Sequence, residues 1–297
     1  MSAPTRPAPA EPELERILTE IARQILEHGT GAIRQFGEWG CSTVCVEVCP
    51  EGASSMLDAG ACRLGVASDQ AASLADLAGF IDHTLLRADA TLAEIDQLCD
   101  EALRFRFATV CVNGVHVRRC AEILQGSGVG VSAVVGFPLG AMAPEVKVYE
   151  ARRALEDGAC EIDMVINVGA LKSGDDAFVR RDVAGVAEVC HRLGAKLKVI
   201  LETALLTDPE KVRACDAAKA AGADFVKTST GFSKGGATVE DVALMRRAVG
   251  PTLGIKAAGG VRTALDARKL VEAGATRLGA SASVAIVSQG GAGGGGY

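Results

Sequence analysis

The chain has 297 residues, 48% of them hydrophobic, and a formal charge of −6, which gives enough apolar material for a large core and room for one α/β barrel of ordinary size. The acidic balance, without a dense basic patch, argues against nucleic acid and leaves a small molecule as the expected partner. No stretch approaches the roughly 20 apolar residues of a membrane span, and no apolar run follows Arg6 as a secretory signal requires, so the ten cysteines read as free thiols in a reducing, cytoplasmic setting.

Residues 1–12 are rich in proline and alanine and are expected to be disordered. Leu14, Ile17, Leu18, Ile21, Ala22 and Ile25 then recur at helical spacing, charged side chains occupy the remaining surface, and Gly29 supplies a stop. The pattern predicts an amphipathic helix over residues 13–29, within a flexible leader of residues 1–30. Residues 31–75 read as a linker carrying Cys41, Cys45, Cys49 and Cys62. C-x3-C-x3-C spacing would align three thiols on a helix, yet Val44, Val46 and Val48 favour extended backbone. The spacing also differs from the usual C-x2-C of zinc sites, so incidental thiols are expected there rather than a metal or cluster.

Over residues 76–289 one pattern repeats: an apolar run, a turn, an amphipathic helix. The runs centre near Ile81, Val110, Val134, Met164, Ile200, Val226, Ile255 and Leu278. Each interval fits a strand plus a crossover helix. Helical patterns fall between them, among them Leu92 to Arg106, Pro144 to Asp157, Val179 to Leu193, Pro209 to Ala221 and Val239 to Ala248. Eight such units predict an α/β fold, a (β/α)8 TIM barrel, because an open sheet of eight strands would leave edges to protect. Residues 290–297 form a glycine-rich tail ending in Tyr297.

Two lysines break the apolar runs. Lys227 lies in Phe225-Val226-Lys227-Thr228-Ser229-Thr230-Gly231, and Lys256 in Gly254-Ile255-Lys256-Ala257-Ala258-Gly259-Gly260-Val261-Arg262. An ammonium is costly to bury unless it is paired or loses its proton. Two of them on consecutive strands therefore suggest an amine kept for chemistry, a Schiff base in which one lysine is the nucleophile and its cationic neighbour lowers its pKa. Asp82, Asp163, Lys198 and Glu202 interrupt other runs, and in this fold such residues are expected at the C-terminal ends of the strands. Gly259-Gly260 after strand seven and Leu278-Gly279-Ala280-Ser281 at strand eight lie where barrels commonly hold a phosphate on backbone N–H groups.

Six segments, taken together and in order, resemble the deoxyribose-phosphate aldolase family: Ile81 to Thr84, Gly136 to Gly140, Glu161 to Asn167, Lys198 to Thr203, Val226 to Phe232 and Gly254 to Arg262. The resemblance covers about residues 74–288 and implies a class I aldolase. Its reaction is the reversible cleavage of 2-deoxy-D-ribose 5-phosphate to D-glyceraldehyde 3-phosphate and acetaldehyde, with no metal or other cofactor. By the same resemblance Lys227 is the Schiff-base lysine and Lys256 depresses its pKa. Asp163 relays protons through water, Lys198 and Asp82 support that network, and Gly231, Gly259, Gly260, Gly279 and Ser281 bind the substrate phosphate. Two departures bear on phosphate binding and not on the aldol step. Phe232, with Lys234 two positions on, stands where some members have a lysine, and Ala282 replaces a second serine.

Metal-dependent aldolases need several histidines on one zinc. Only His28, His83, His116 and His191 are present; His28 falls outside the barrel and His191 near a helix end, so no triad is expected. Cys111 reads as a small core residue. The helix over residues 13–29 is similar to the encapsulation peptides that dock cargo enzymes on bacterial microcompartment shells, which would place an aldehyde-producing enzyme in that lumen; packing on the barrel or at a dimer contact is the other reading. In some relatives a C-terminal tyrosine folds over the active site, a role open to Tyr297, as is a free tail. A homodimer or larger homo-oligomer is expected. Two alternatives to the leading function remain: a Schiff-base aldolase for another aldehyde pair, and a shell-associated interaction protein with an inactive barrel.

Overall fold

The computed structural model describes residues 77–288. The leader helix over residues 13–29, the cysteines of the linker 31–75 and the tail ending in Tyr297 lie outside the described residues. Eight short runs form the strands β1 (Ile81–Leu85), β2 (Thr109–Val112), β3 (Gly130–Val135), β4 (Glu161–Val165), β5 (Lys196–Ile200), β6 (Phe225–Lys227), β7 (Gly254–Ala258) and β8 (Arg277–Ala280). All pair in parallel, in chain order, and β8 closes on β1. Each run centre expected from the sequence falls inside its strand. The runs are almost continuously apolar because parallel strands in a barrel are covered on both faces.

The helices are α1 (Leu92–Phe105), α2 (Val117–Ile123), α3 (Pro144–Glu156), α4 (Val168–Lys172), α5 (Asp176–Arg192), α6 (Asp208–Ala220), α7 (Val239–Val249), α8 (Ala264–Glu272) and α9 (Ser283–Ser288). Threonines start several of them. Thr91, Thr207 and Thr263 each form a reciprocal capping box, with Glu94, Glu210 and Asp266, an arrangement in which the cap alone contributes about 1 kcal/mol. α1 then buries Ile95, Leu98, Cys99 and Ala102 along one stripe. α5 starts ahead of the expected Val179 because the Asp175 side chain accepts from the Phe178 N–H and nucleates an earlier turn. α2 and α4, at 7 and 5 residues, are too short to show a helical period.

Register places the charged residues in rows. Lys227 lies opposite Lys256, Lys256 opposite Arg277, and Asp163 opposite Lys198. Three neighbouring strands thus present three cations in one row. Such a row is tolerable only if carboxylates reach it from the other strands.

Candidate active site

Asp163 is the hub. Lys227 Nζ and Lys256 Nζ both donate to its Oδ2 at 2.7 Å, while Lys198 Nζ and Ser132 Oγ donate to its Oδ1 at 2.8 and 2.9 Å. Asp82 stands one step further out, with Oδ2 2.5 Å from Lys256 Nζ and Oδ1 accepting from Arg277 at 2.6 Å. Arg277 also donates to Glu161 at 2.9 Å, and Glu161 pairs with Lys198. The structure therefore brings Lys227, Asp163, Lys256, Lys198 and Asp82 into one buried network, as the sequence led us to expect.

The network runs deeper than expected. Lys227 ends β6, but Asp163, Lys198 and Lys256 sit mid-strand, Asp82 is the second residue of β1, and Glu161 and Arg277 open β4 and β8. Sequence reasoning missed Arg277 and Glu161 as members. Glu161 is two residues from Asp163 and hence on the same strand face, a signal that was available. Arg277 is the first residue of the short β8 run, and nothing in the sequence marks it as a partner of Asp82.

Electrostatics single out Lys227. The buried network holds the cations Lys198, Lys227, Lys256 and Arg277 against the carboxylates Asp82, Glu161 and Asp163, so full ionisation leaves one positive charge uncompensated. Burial lowers the Lys227 pKa and the Lys256 cation lowers it further, together outweighing Asp163. Burial also opposes the charge on Lys256, but Asp163 and Asp82 overcome it and hold its pKa above that of an ordinary lysine. Asp163 and Asp82 would be raised by burial, yet the surrounding cations carry both well below the usual 3.8. Of the two neighbouring lysines, Lys227 is therefore the one whose proton is held less firmly.

An apolar cluster of Leu86, Cys111, Val134 and Phe137 adjoins this network. Cys111 is buried, as expected, but it is more than core filling: its Sγ lies 3.9 Å from Asp163 Oδ2. Burial raises its pKa and keeps the thiol neutral. The Phe137 ring meets Phe232 edge to face, with centroids 5.3 Å apart, joining the loops after β3 and β6.

Of the glycines expected to bind phosphate, Gly231, Gly259 and Gly260 have φ of 86°, 89° and 78°, a region that favours glycine. The loops after β6 and β7 touch here: Ala237 N–H donates to Gly259 O at 2.9 Å. Gly279 differs, being buried in β8 itself, and a Cβ there would come within 3.0 Å of Lys256 Cε. It makes room for that side chain. Ser281 is exposed just beyond β8. Glu202 is not in β5 but follows it, in left-handed backbone at φ 58°. His83 pairs with Glu101 at 2.7 Å and His191 with Asp224 at 3.0 Å, and among the described residues no group of His, Cys, Asp or Glu is gathered as a metal site. No described helix is long and apolar enough to cross a membrane.

Residues 65–293 match the family model of the DeoC/LacD family aldolases. The deoxyribose-phosphate aldolase of Thermococcus gammatolerans is 58% identical over 71% of this chain and 95% of its own length. That of a Geobacillus species is 58% identical over 71% and 95%. Among solved structures, the tetrameric deoxyribose phosphate aldolase of Aeropyrum pernix superposes with a TM-score of 0.70 at 34% identity, covering 82% of this chain and 98% of that one.

Proposed function

Since the chain belongs to the DeoC/LacD family of aldolases, we propose that its barrel cleaves 2-deoxy-D-ribose 5-phosphate reversibly to D-glyceraldehyde 3-phosphate and acetaldehyde. One observation carries the mechanism: Lys227 and Lys256 hydrogen-bond to the same Asp163 oxygen, and of the two only Lys227 is biased toward its neutral form. The Lys227 amine adds to the C1 aldehyde of the open-chain sugar, and loss of water leaves a protonated imine. Asp163, through water, takes the C3 hydroxyl proton. The C2–C3 bond then breaks, its electron pair passes into the enamine on Lys227, and glyceraldehyde 3-phosphate departs. The enamine β-carbon is next protonated, and hydrolysis of the resulting imine frees acetaldehyde and the lysine.

Lys256 keeps the nucleophile discharged, while Lys198 and Asp82 hold Asp163 and Lys256 in place. Backbone N–H groups at Gly231, Gly259, Gly260, Gly279 and Ser281 take the phosphate. The tetrameric relative supports a homo-oligomer. The pattern over residues 13–29, similar to an encapsulation peptide, supports docking on a microcompartment shell; deletion of residues 1–30 should then preserve turnover and abolish compartment recruitment.

The test is product identification after incubation with 2-deoxyribose 5-phosphate. Acetaldehyde and glyceraldehyde 3-phosphate in equal amounts are expected. A folded protein that leaves this sugar intact but cleaves another aldol would transfer the reading to a different aldehyde pair.

A further inference from the structure

Glu202 carries two costs at one position. It is a non-glycine residue in left-handed backbone, at φ 58° and ψ 62°, a strained conformation for a side chain of its kind. Its carboxylate is also buried, the residue being 3% exposed, and Oε1 has no hydrogen-bond partner among the described residues, which is unfavourable for a charged group. Folding alone would favour glycine here. What the carboxylate gains is a hold on the loop after β6: Oε2 accepts from the Thr230 hydroxyl at 2.5 Å and from the Thr230 N–H at 3.2 Å. The Thr230 Oγ1 in turn accepts from the Phe232 N–H at 3.0 Å. Gly231 lies between those two residues, and Phe232 bears edge-on against Phe137 across the mouth.

We infer that Glu202 is a positioning residue for the phosphate end of the substrate: through Thr230 it fixes the Thr230–Phe232 turn, so that the Gly231 loop is ordered before the anion arrives. The inference rests on the proposed phosphosugar reading. Preordering lowers the conformational cost of binding. It should therefore act on KM for phosphorylated substrates and leave the chemistry at Lys227 alone, since Glu202 contacts neither Lys227 nor Asp163 through any hydrogen bond among the described residues.

The experiment compares the full-length protein with Glu202→Gly and Glu202→Gln, cleaving 2-deoxyribose 5-phosphate and unphosphorylated 2-deoxyribose. Glycine accepts the left-handed backbone, so that variant should fold while losing the carboxylate; glutamine keeps an acceptor oxygen. The KM for the phosphorylated sugar should rise about tenfold in Glu202→Gly, the loss of one charge-assisted hydrogen bond, and recover in part in Glu202→Gln. KM for the unphosphorylated sugar and kcat for both should stay within about twofold, a margin below half a kcal/mol. Equal losses on both sugars, or an unchanged KM, would overturn the inference. A wild-type protein without any preference for the phosphorylated sugar would instead overturn the functional reading beneath it.

Discussion

Lys227 and Lys256 donate to one oxygen of one carboxylate, Oδ2 of Asp163, each at 2.7 Å. Their nitrogens can be no further apart than those two bonds laid end to end, so a charge on either is felt strongly by the other. Asp82 holds the charge on Lys256, and the balance of burial and repulsion lowers the pKa of Lys227 instead. Removing the Lys256 cation should raise the Lys227 pKa, because repulsion is lost and Asp163 is left to favour the ammonium. In Lys256→Met the acid limb of the kcat/KM profile should move to higher pH by about one unit or more. A limb that stays in place would show that Lys256 does not tune the nucleophile.

Asp163→Asn keeps the shape of the hub and removes its charge. Lys198, Lys227 and Lys256 would then share an uncharged partner. Loss of the proton acceptor should lower kcat by about 100- to 10,000-fold, and thermal unfolding should come earlier because buried cations lose their counter-charge. Retention of wild-type kcat would remove Asp163 from the proton path.

Gly279→Ala tests the space under Lys256. The added Cβ would lie 2.9 Å from Ala258 Cβ, closer than real contacts allow, and 3.0 Å from Lys256 Cε, so β8 is pushed off Ala258 and the lysine chain has to give by a few tenths of an ångström. The account predicts a drop in kcat together with the alkaline displacement expected for Lys256→Met. If KM for phosphate-bearing substrate rises instead, with kcat and pH profile unchanged, the missing Cβ at Gly279 makes room for the anion and not for the lysine, whatever its N–H binds.

Behind the barrel, Lys147 on α3 pairs with Asp182 on α5, both wholly buried, and Lys147 Nζ also donates to Val165 O at 2.9 Å. Burial pushes the Lys147 pKa down and that of Asp182 up, so this pair is held by geometry against its desolvation. Asp182→Leu alone should cost about 3–5 kcal/mol by stranding the ammonium, and Lys147→Met with Asp182→Leu should recover most of it. Urea unfolding of the three proteins measures this; a strictly additive double variant would contradict it.

The acid limit follows from Asp82 and Asp163. Both have native pKa values below the usual 3.8, so the unfolded chain binds their protons first as the pH falls. Their contribution is full above pH 3.8 and is lost below it, toward their native values. Unfolding midpoints in urea should therefore hold level on their account down to about pH 4 and fall beneath it. A decline beginning near neutrality would point to another group.

The sequence made the barrel legible because parallel strands buried on both faces leave apolar runs such as Lys196–Ile200 and Gly254–Ala258 at regular intervals. Within those runs Lys198, Lys227, Lys256 and Asp163 stood out by their desolvation cost. Arg277 and Glu161 did not, since each opens its strand and looks like the charged edge of a turn; only the closure of β8 on β1 brings Arg277 to Asp82. The interruption at Glu202 was visible too, but its place was not. A left-handed residue just past a strand has no compositional mark unless it is glycine or asparagine, so its bonds to Thr230 emerge only from the fold.

The most direct measurement of the central claim is peptide mass spectrometry after incubation with 2-deoxyribose 5-phosphate and borohydride, with Lys227→Ala alongside. A reduced adduct on Lys227, absent from the variant, is the predicted result. An adduct on Lys256 in place of Lys227, or none on a folded protein that still cleaves the sugar, would contradict the assignment of the nucleophile.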